Sequence, residues 1–327
     1  MSHLDGKSVL ITGGTGSFGK AFVRYLLGNT SVSRVVVFSR DELKQSEMAE
    51  AYQEESRIRF FIGDVRDADR LSRAFDGVDI VVHAAALKQV PAVEYNPIEA
   101  VRTNINGAEN IINAALDRGV QKVIALSTDK ASSPVNLYGA TKLVSDKLFV
   151  NGNAYVGGRN TRFSVIRYGN VVGSRGSVVP FFKRLAAEGV VEVPITDERM
   201  TRFWITLPQG VQFVLESLER MRGGELFVPK IPSMRVVDLA RVLLPDARIK
   251  VIGIRPGEKI HEEMISTEDS RRTLDMGTHF VIQPEAEWWR RKGMLLGGTL
   301  PDGFRYASDL NDHWLSPAEL SVMVANG

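Results

Sequence analysis

The stretch Thr12-Gly13-Gly14-Thr15-Gly16-Ser17-Phe18-Gly19 follows the apolar run Ser8-Val9-Leu10-Ile11 and opens a segment whose apolar residues Phe18, Phe22, Tyr25 and Leu26 have helical spacing. A strand that runs into glycines and then directly into a helix is the βα turn that cradles a dinucleotide. The glycines have separate tasks. Gly13 permits the tight turn. Gly16 lets the backbone approach a pyrophosphate at the helix N-terminus, where free N–H groups and the helix dipole favour an anion. Gly19 lets the helix pack closely on the strand. Thr12, Thr15, Ser17 and Phe18 complete the predicted cofactor loop.

Outward from this loop, strands are predicted at 34–38, 58–62, 79–83, 123–127 and 163–167, with helices between them at 68–75 and 99–118. The strands read as continuous apolar runs, which marks a parallel sheet buried on both faces. Repeated strand–helix units imply an α/β, Rossmann-type doubly wound sheet. The boundary is expected near residue 165. Residues 1–165 form the dinucleotide-binding domain, with later segments returning to it. Residues 166–327, with Gly- and Pro-rich stretches and helices at 180–188, 208–221 and 236–243, form mainly a smaller substrate-binding lobe.

Composition narrows the function classes. The chain has 327 residues, 44% of them hydrophobic and 24% charged, and a net charge of +2. So small a charge gives no electrostatic case for nucleic acid. The absence of cysteine excludes disulfides, thiolate metal sites and a cysteine nucleophile. His83, His261 and His279 are not grouped with acidic residues at ligand spacing, so no metal is expected. Trp204, Trp288 and Trp289 read as packing residues. The polar start lacks the form of a signal peptide, and no apolar run approaches the about 20 residues that span a bilayer. The expectation is a cytoplasmic protein with no membrane partner.

The strand ends refine the cofactor. The second strand closes in Ser39-Arg40-Asp41 rather than directly in an acid. A guanidinium pairs with a 2′-phosphate through a forked contact, so Arg40, helped by Lys44, points to NADP. Asp64-Val65 ends the third strand and is expected at the adenine. Ala84 and Ala86 follow the fourth strand, small enough for a cofactor to lie against the backbone. The fifth strand ends in Ser127-Thr128. Tyr138 and Lys142 follow on a predicted helix, four apart and on one face. A nearby ammonium lowers the pKa of a phenol and makes it a base toward a hydroxyl being oxidised. Thr128 is placed to bond the same oxygen. Asn104 reads either as structural support or as a plain helix-surface residue.

Taken together, the glycine loop with its three-residue step from Gly13 to Gly16, Ser39-Arg40-Asp41, His83 through Lys88, Ser127-Thr128-Asp129-Lys130 and Tyr138 through Lys142 resemble the extended short-chain dehydrogenase/reductases. More narrowly, they are similar to the inverting UDP-N-acetylglucosamine 4,6-dehydratases of pseudaminic-acid biosynthesis. The resemblance continues through Tyr168-Gly169-Asn170, Thr201 to Thr206 and Arg255 to Lys259. It implies that Tyr138 oxidises C4, that neutral Lys130 removes the C5 proton, and that protonated Asp129 releases the 6-hydroxyl. An Asp-Glu pair marks the retaining dehydratases, and a simple epimerase lacks the pair. The resemblance also places Asn170, Arg202, Arg255 and Glu258 on the substrate, and implies a homo-oligomer, dimer or hexamer; Lys88, just past the fourth strand, is expected to face substrate or cofactor. A 4-epimerase, a C5-retaining dehydratase and a non-catalytic NADP-binding sensor or scaffold are the competing readings. The intact Tyr138 and Lys142 argue against the last.

Overall fold

A computed structural model describes residues 2–174, 176–291 and 295–325. The strands predicted around the glycine loop form as β1 (Ser8–Thr12), β2 (Arg34–Ser39), β3 (Ile58–Ile62), β4 (Ile80–His83), β5 (Lys122–Thr128) and β6 (Arg162–Tyr168). They lie in the order β3-β2-β1-β4-β5-β6, every neighbouring pair parallel. The chain order reverses between β1 and β4, and ligands bind at such a switch point, beyond the carboxyl ends of the strands. Val9, Leu10 and Ile11 are wholly buried, as their uninterrupted apolar run demands. Each such side chain contributes roughly 1.5–3 kcal/mol by leaving water.

After β6 the chain departs and then returns. Strand Leu226–Pro229 pairs parallel with β6. Strands His279–Ile282, Thr273–Asp275 and Gly298–Thr299 extend the sheet antiparallel to ten strands. A second core lies outside this sheet, with Val179, Phe182, Val193, Trp204, Met234 and Leu239 at its centre. It is covered by helices Val178–Ala187, Val236–Leu243 and Pro317–Ala325. A short parallel pair, Glu192–Ile195 with Arg248–Val251, and a three-stranded sheet around Thr201–Ile205 frame it. Among the described residues, no helix is long and apolar enough to cross a membrane.

The single helix expected at 99–118 is broken. A helix Val90–Tyr95 and a turn Pro97–Ala100 lead into a π-helical turn, Val101–Asn106, before helix Gly107–Arg118. Pro97 sits at the first turn, where its missing N–H costs nothing. The wide turn carries Asn104 inward. Its amide brackets Leu87, accepting from the N–H at 2.9 Å and donating to the carbonyl at 2.9 Å. It also donates to Thr141 Oγ1 at 3.0 Å. Of its two readings, structural support is the one the geometry supplies.

Candidate active site

Helix Ser17–Asn29 begins at Gly16 with no side-chain cap, so its first-turn N–H groups remain available to an anion. Gly13 has φ +66°, and a Cβ there would lie 3.0 Å from the Ala84 carbonyl carbon. A Cβ on Gly19 would run into the backbone of Gly14. The loop is therefore a cradle that only glycine fits, and it suits a dinucleotide pyrophosphate. Thr12 was expected on the cofactor, but its side chain is wholly buried beneath the loop. Its hydroxyl accepts from the N–H groups of Ala84 and Ala85, at 3.2 and 3.3 Å. It therefore donates to His83 Nδ1 at 2.8 Å. Burial, and then the charge of Lys142, push the pKa of His83 down to about 3, so the ring is neutral.

The end of β2 is held in place from several sides. Thr15 Oγ1 and Ser39 Oγ are 2.8 Å apart. The Asp41 carboxylate caps helix Glu42–Ala51 by accepting from the Lys44 N–H at 3.0 Å, and it also pairs with the Lys44 ammonium. Lys44 and Asp41 thus neutralise each other. Arg40 is largely exposed, its guanidinium 3.7 Å from Asp64. Asp64 is gripped more closely by the Arg66 guanidinium, at 2.8 Å. Val65 is buried, and its carbonyl accepts from Asn110 at 3.0 Å. Ala84 and Ala86 are half-buried just beyond β4.

At the end of β5, Thr128 organises the next turn. Its hydroxyl accepts from the Lys130 N–H at 3.3 Å and donates to Asp129 Oδ1 at 2.9 Å. Helix Leu137–Gly152 then starts at Asn136, whose side chain accepts from the Gly139 N–H at 2.8 Å and donates to the Gly257 carbonyl at 2.8 Å. This helix carries Tyr138 and Lys142. Burial raises the Tyr138 pKa to about 12, against the lowering effect of Lys130 and a hydrogen bond with Thr128. Lys130 is the cation that lowers it most. Lys142 is buried, its pKa lowered by desolvation and supported by Asp146 one turn along the helix. Asp146 accepts from Ser127 at 2.8 Å and from the buried Arg167 at 3.4 Å.

Lys130 departs most from expectation. Its ammonium lies 3.0 Å from Asp129 Oδ1 and 3.0 Å from Glu262 Oε1. Desolvation opposes the charge, but the two carboxylates outweigh it and raise the pKa. The two carboxylates favour the cation at the base expected to be neutral. Asp129 is fully buried, and burial raises its pKa despite Lys130, which eases transfer of the Lys130 proton onto it. Glu262 went unrecognised in the sequence. It lies just past the motif that ends at Lys259, and no spacing rule links it to Lys130.

The remaining expected substrate residues lie in three places. Lys88 is exposed beyond β4, its pKa lowered by desolvation and by the charge of Lys130. Asn170 lies in register with Trp204 on the three-stranded sheet. The Arg202 guanidinium donates to the carbonyls of Thr201, Ile260 and Lys259, at 2.7, 3.0 and 3.1 Å. It also lies 3.8 Å from Glu262. In this state it braces the segment that carries Glu262. Arg255 is exposed and 3.9 Å from Glu258.

Residues 9–284 match the family model described as polysaccharide biosynthesis protein. A Campylobacter jejuni subsp. jejuni protein named UDP-N-acetylglucosamine 4,6-dehydratase (inverting) is 55% identical over 323 residues, 97% of this chain and 96% of that one. A Rickettsia typhi protein named UDP-glucose 4-epimerase is 43% identical over 84% of this chain and 82% of its own. Among solved structures, the Pen protein of Bacillus thuringiensis matches with a TM-score of 0.89 and 36% identity, covering 99% of this chain and 98% of the other. A Streptomyces venezuelae dTDP-glucose 4,6-dehydratase solved with NAD matches with a TM-score of 0.69, covering 88% of this chain and 97% of its own, and at 22% identity it shares the fold. The switch-point cradle, the sheet order and these similarities agree: the chain belongs to the polysaccharide biosynthesis protein family, on a short-chain dehydrogenase/reductase fold.

Proposed function

We propose that the protein is a UDP-N-acetylglucosamine 4,6-dehydratase that inverts C5 and forms UDP-2-acetamido-2,6-dideoxy-β-L-arabino-hex-4-ulose. The observation that carries this reading is the Asp129–Lys130 pair at the carboxyl end of β5, beside Tyr138. The 55% identity to a relative of that name supports it.

Gly13, Gly16, Gly19 and the first turn of helix Ser17–Asn29 would hold the cofactor, with Arg40 selecting NADP. A nicotinamide held there would supply a reversible two-electron hydride acceptor for C4 and donor for C6. Tyr138 takes the O4 proton as a phenolate, the form that Lys130 and Thr128 favour against the burial that opposes it. The resulting ketone acidifies C5. Lys130 passes its own proton to Asp129 and then takes the C5 proton as an amine. The C5–H electron pair forms the alkene, the C6–O bond breaks toward oxygen, and Asp129 protonates the departing hydroxyl to give water. Lys130 and Asp129 end as the ion pair they began as. Tyr138 then gives up the proton it gained, after exchange with solvent, to the opposite face of C5, which inverts that centre and returns the phenol to its starting form.

In this reading Lys88, Asn170, Arg202, Arg255 and Glu258 face the substrate. The lobe built mainly from residues 166–327 binds UDP-N-acetylglucosamine. The protein works as a cytoplasmic homo-oligomer supplying pseudaminic-acid synthesis. A second reading, a 4-epimerase, is favoured by the 43% identity to the Rickettsia typhi relative. One experiment separates the two. The protein is incubated with UDP-N-acetylglucosamine and NADP in deuterated water, and the sugar is followed by NMR. A 4-keto-6-deoxy product of L-arabino configuration with deuterium at C5 is expected. A C4 epimer alone, or an unchanged sugar, overturns the dehydratase reading.

A further inference from the structure

One short segment from late in the chain, Lys259 to Glu263, grips the turn carrying Asp129 and Lys130. Lys259 donates to the Ser132 carbonyl at 2.7 Å. Glu263 accepts from the hydroxyls of Ser132 and Ser133, at 3.1 and 2.8 Å. Ser133 sits at φ +43°, a conformation that costs a non-glycine residue energy and that these bonds stabilise. Between the two clamps, Glu262 does something different. Its side chain is 2% exposed, and it addresses an ammonium instead of the backbone. Its Oε1 meets Lys130, and its Oε2 is buried with no hydrogen-bond partner. An uncompensated buried carboxylate is costly, so Glu262 depends on Lys130 and Arg202 for its charge.

We propose that Glu262 is a positioning residue for dehydration: from a segment distant in sequence it fixes the Lys130 ammonium against Asp129 and keeps one proton on that pair over the working pH range. The proposal rests on the dehydratase reading for its kinetic consequence and on geometry alone for the pairing. The charged or titratable groups that bear on Lys130 are Asp129 on its own turn, Tyr138 on helix Leu137–Gly152, Lys88 beyond β4, Arg202 on strand Thr201–Ile205, and Lys259 and Glu262 on the gripping segment. Two of these are carboxylates in direct contact. Glu262, unlike Asp129, takes no part in the proton exchange. It leaves Asp129 and Lys130 to trade their single proton while its own charge stays balanced by Arg202. Removing the Glu262 charge lets the pair lose that proton at lower pH, and turnover then fails earlier on the alkaline side.

The test uses Glu262→Gln and Glu262→Asp in the full-length, cofactor-loaded protein, with two readouts. The first is the pH profile of kcat with UDP-N-acetylglucosamine. In Glu262→Gln the alkaline limb moves down by about one pH unit, and in Glu262→Asp, which keeps the charge, the limb stays in place while kcat falls. The second is the pH dependence of Lys130 reductive methylation, read by peptide mass spectrometry, which needs no turnover. Its midpoint moves down with the limb in Glu262→Gln. An unmoved midpoint in Glu262→Gln overturns the proposal, as does a lowered kcat with the limb in place. A Glu262→Asp midpoint displaced as far as that of Glu262→Gln overturns it too, and that comparison decides if turnover is abolished. Wild-type protein that leaves the sugar unchanged overturns the dehydratase reading, while the methylation midpoints still decide the role of Glu262.

Discussion

Gly139 approaches Lys130 so closely that a Cβ at Gly139 would run into the Lys130 carbonyl oxygen. The helix that carries Tyr138 is thereby seated directly on the turn that carries Asp129 and Lys130. Gly139→Ala forces the two apart. Overpacking of this kind costs about 1–3 kcal/mol. Denaturant unfolding is expected to show that loss, and kcat to fall more than KM rises. An unchanged midpoint with normal kcat would mean that the contact relaxes freely.

Lys130→Ala leaves the glycine cradle intact and is expected to bind the cofactor normally. Loss of a general base lowers turnover about 10²–10⁴-fold. The same NMR assay measures it. Normal dehydration by this variant removes Lys130 from the mechanism.

Arg40→Ser tests cofactor selection. Arg40 carries the only specific argument for a 2′-phosphate, because the Lys44 ammonium is already paired with Asp41. Charge-assisted bonds contribute about 1.5–3 kcal/mol, so NADP affinity should fall about tenfold or more while NAD affinity changes little. Calorimetric titration with both cofactors checks this. Equal losses for the two would show that Arg40 does not read the phosphate.

His83 gives a pH signature of stability. Its folded pKa, about 3, lies below the 6.5 of a free histidine. Between those values the unfolded chain binds the proton that the folded chain refuses. The contribution is therefore complete above about pH 6.5 and is lost as the pH falls toward 3. Between pH 7 and pH 5 the loss from this group alone amounts to about 2 kcal/mol. Unfolding free energies of wild type and His83→Gln across that interval should differ in slope by this amount. Parallel slopes would show that the ring is protonated in the folded protein.

Most of the nucleotide half was legible because its signals are local. β1, the glycines and the Tyr138–Lys142 spacing are short patterns that each carry their own physics. What stayed hidden depends on contacts between distant segments. Glu262 meets Lys130 only because a segment distant in sequence folds over the turn, and Thr12 is buried only because β4 lies beside it. The π-helical turn at Val101–Asn106 was read as plain helix, since a helical period does not reveal one widened turn. The pair Glu192–Ile195 and Arg248–Val251 was missed because the strands are short, partly exposed and joined only after a long excursion.

The return of Leu226–Pro229 to β6 has a consequence for how the chain emerges from the ribosome. When the first six strands have been made, β6 is an open edge with unpaired backbone groups along one side. Its neighbour is not synthesised until some sixty residues later. Over that interval the nascent sheet presents the kind of edge that recruits foreign strands. Synthesis of residues 169–225 is thus also the waiting time of an unprotected sheet, and a pause within it prolongs the risk of aggregation.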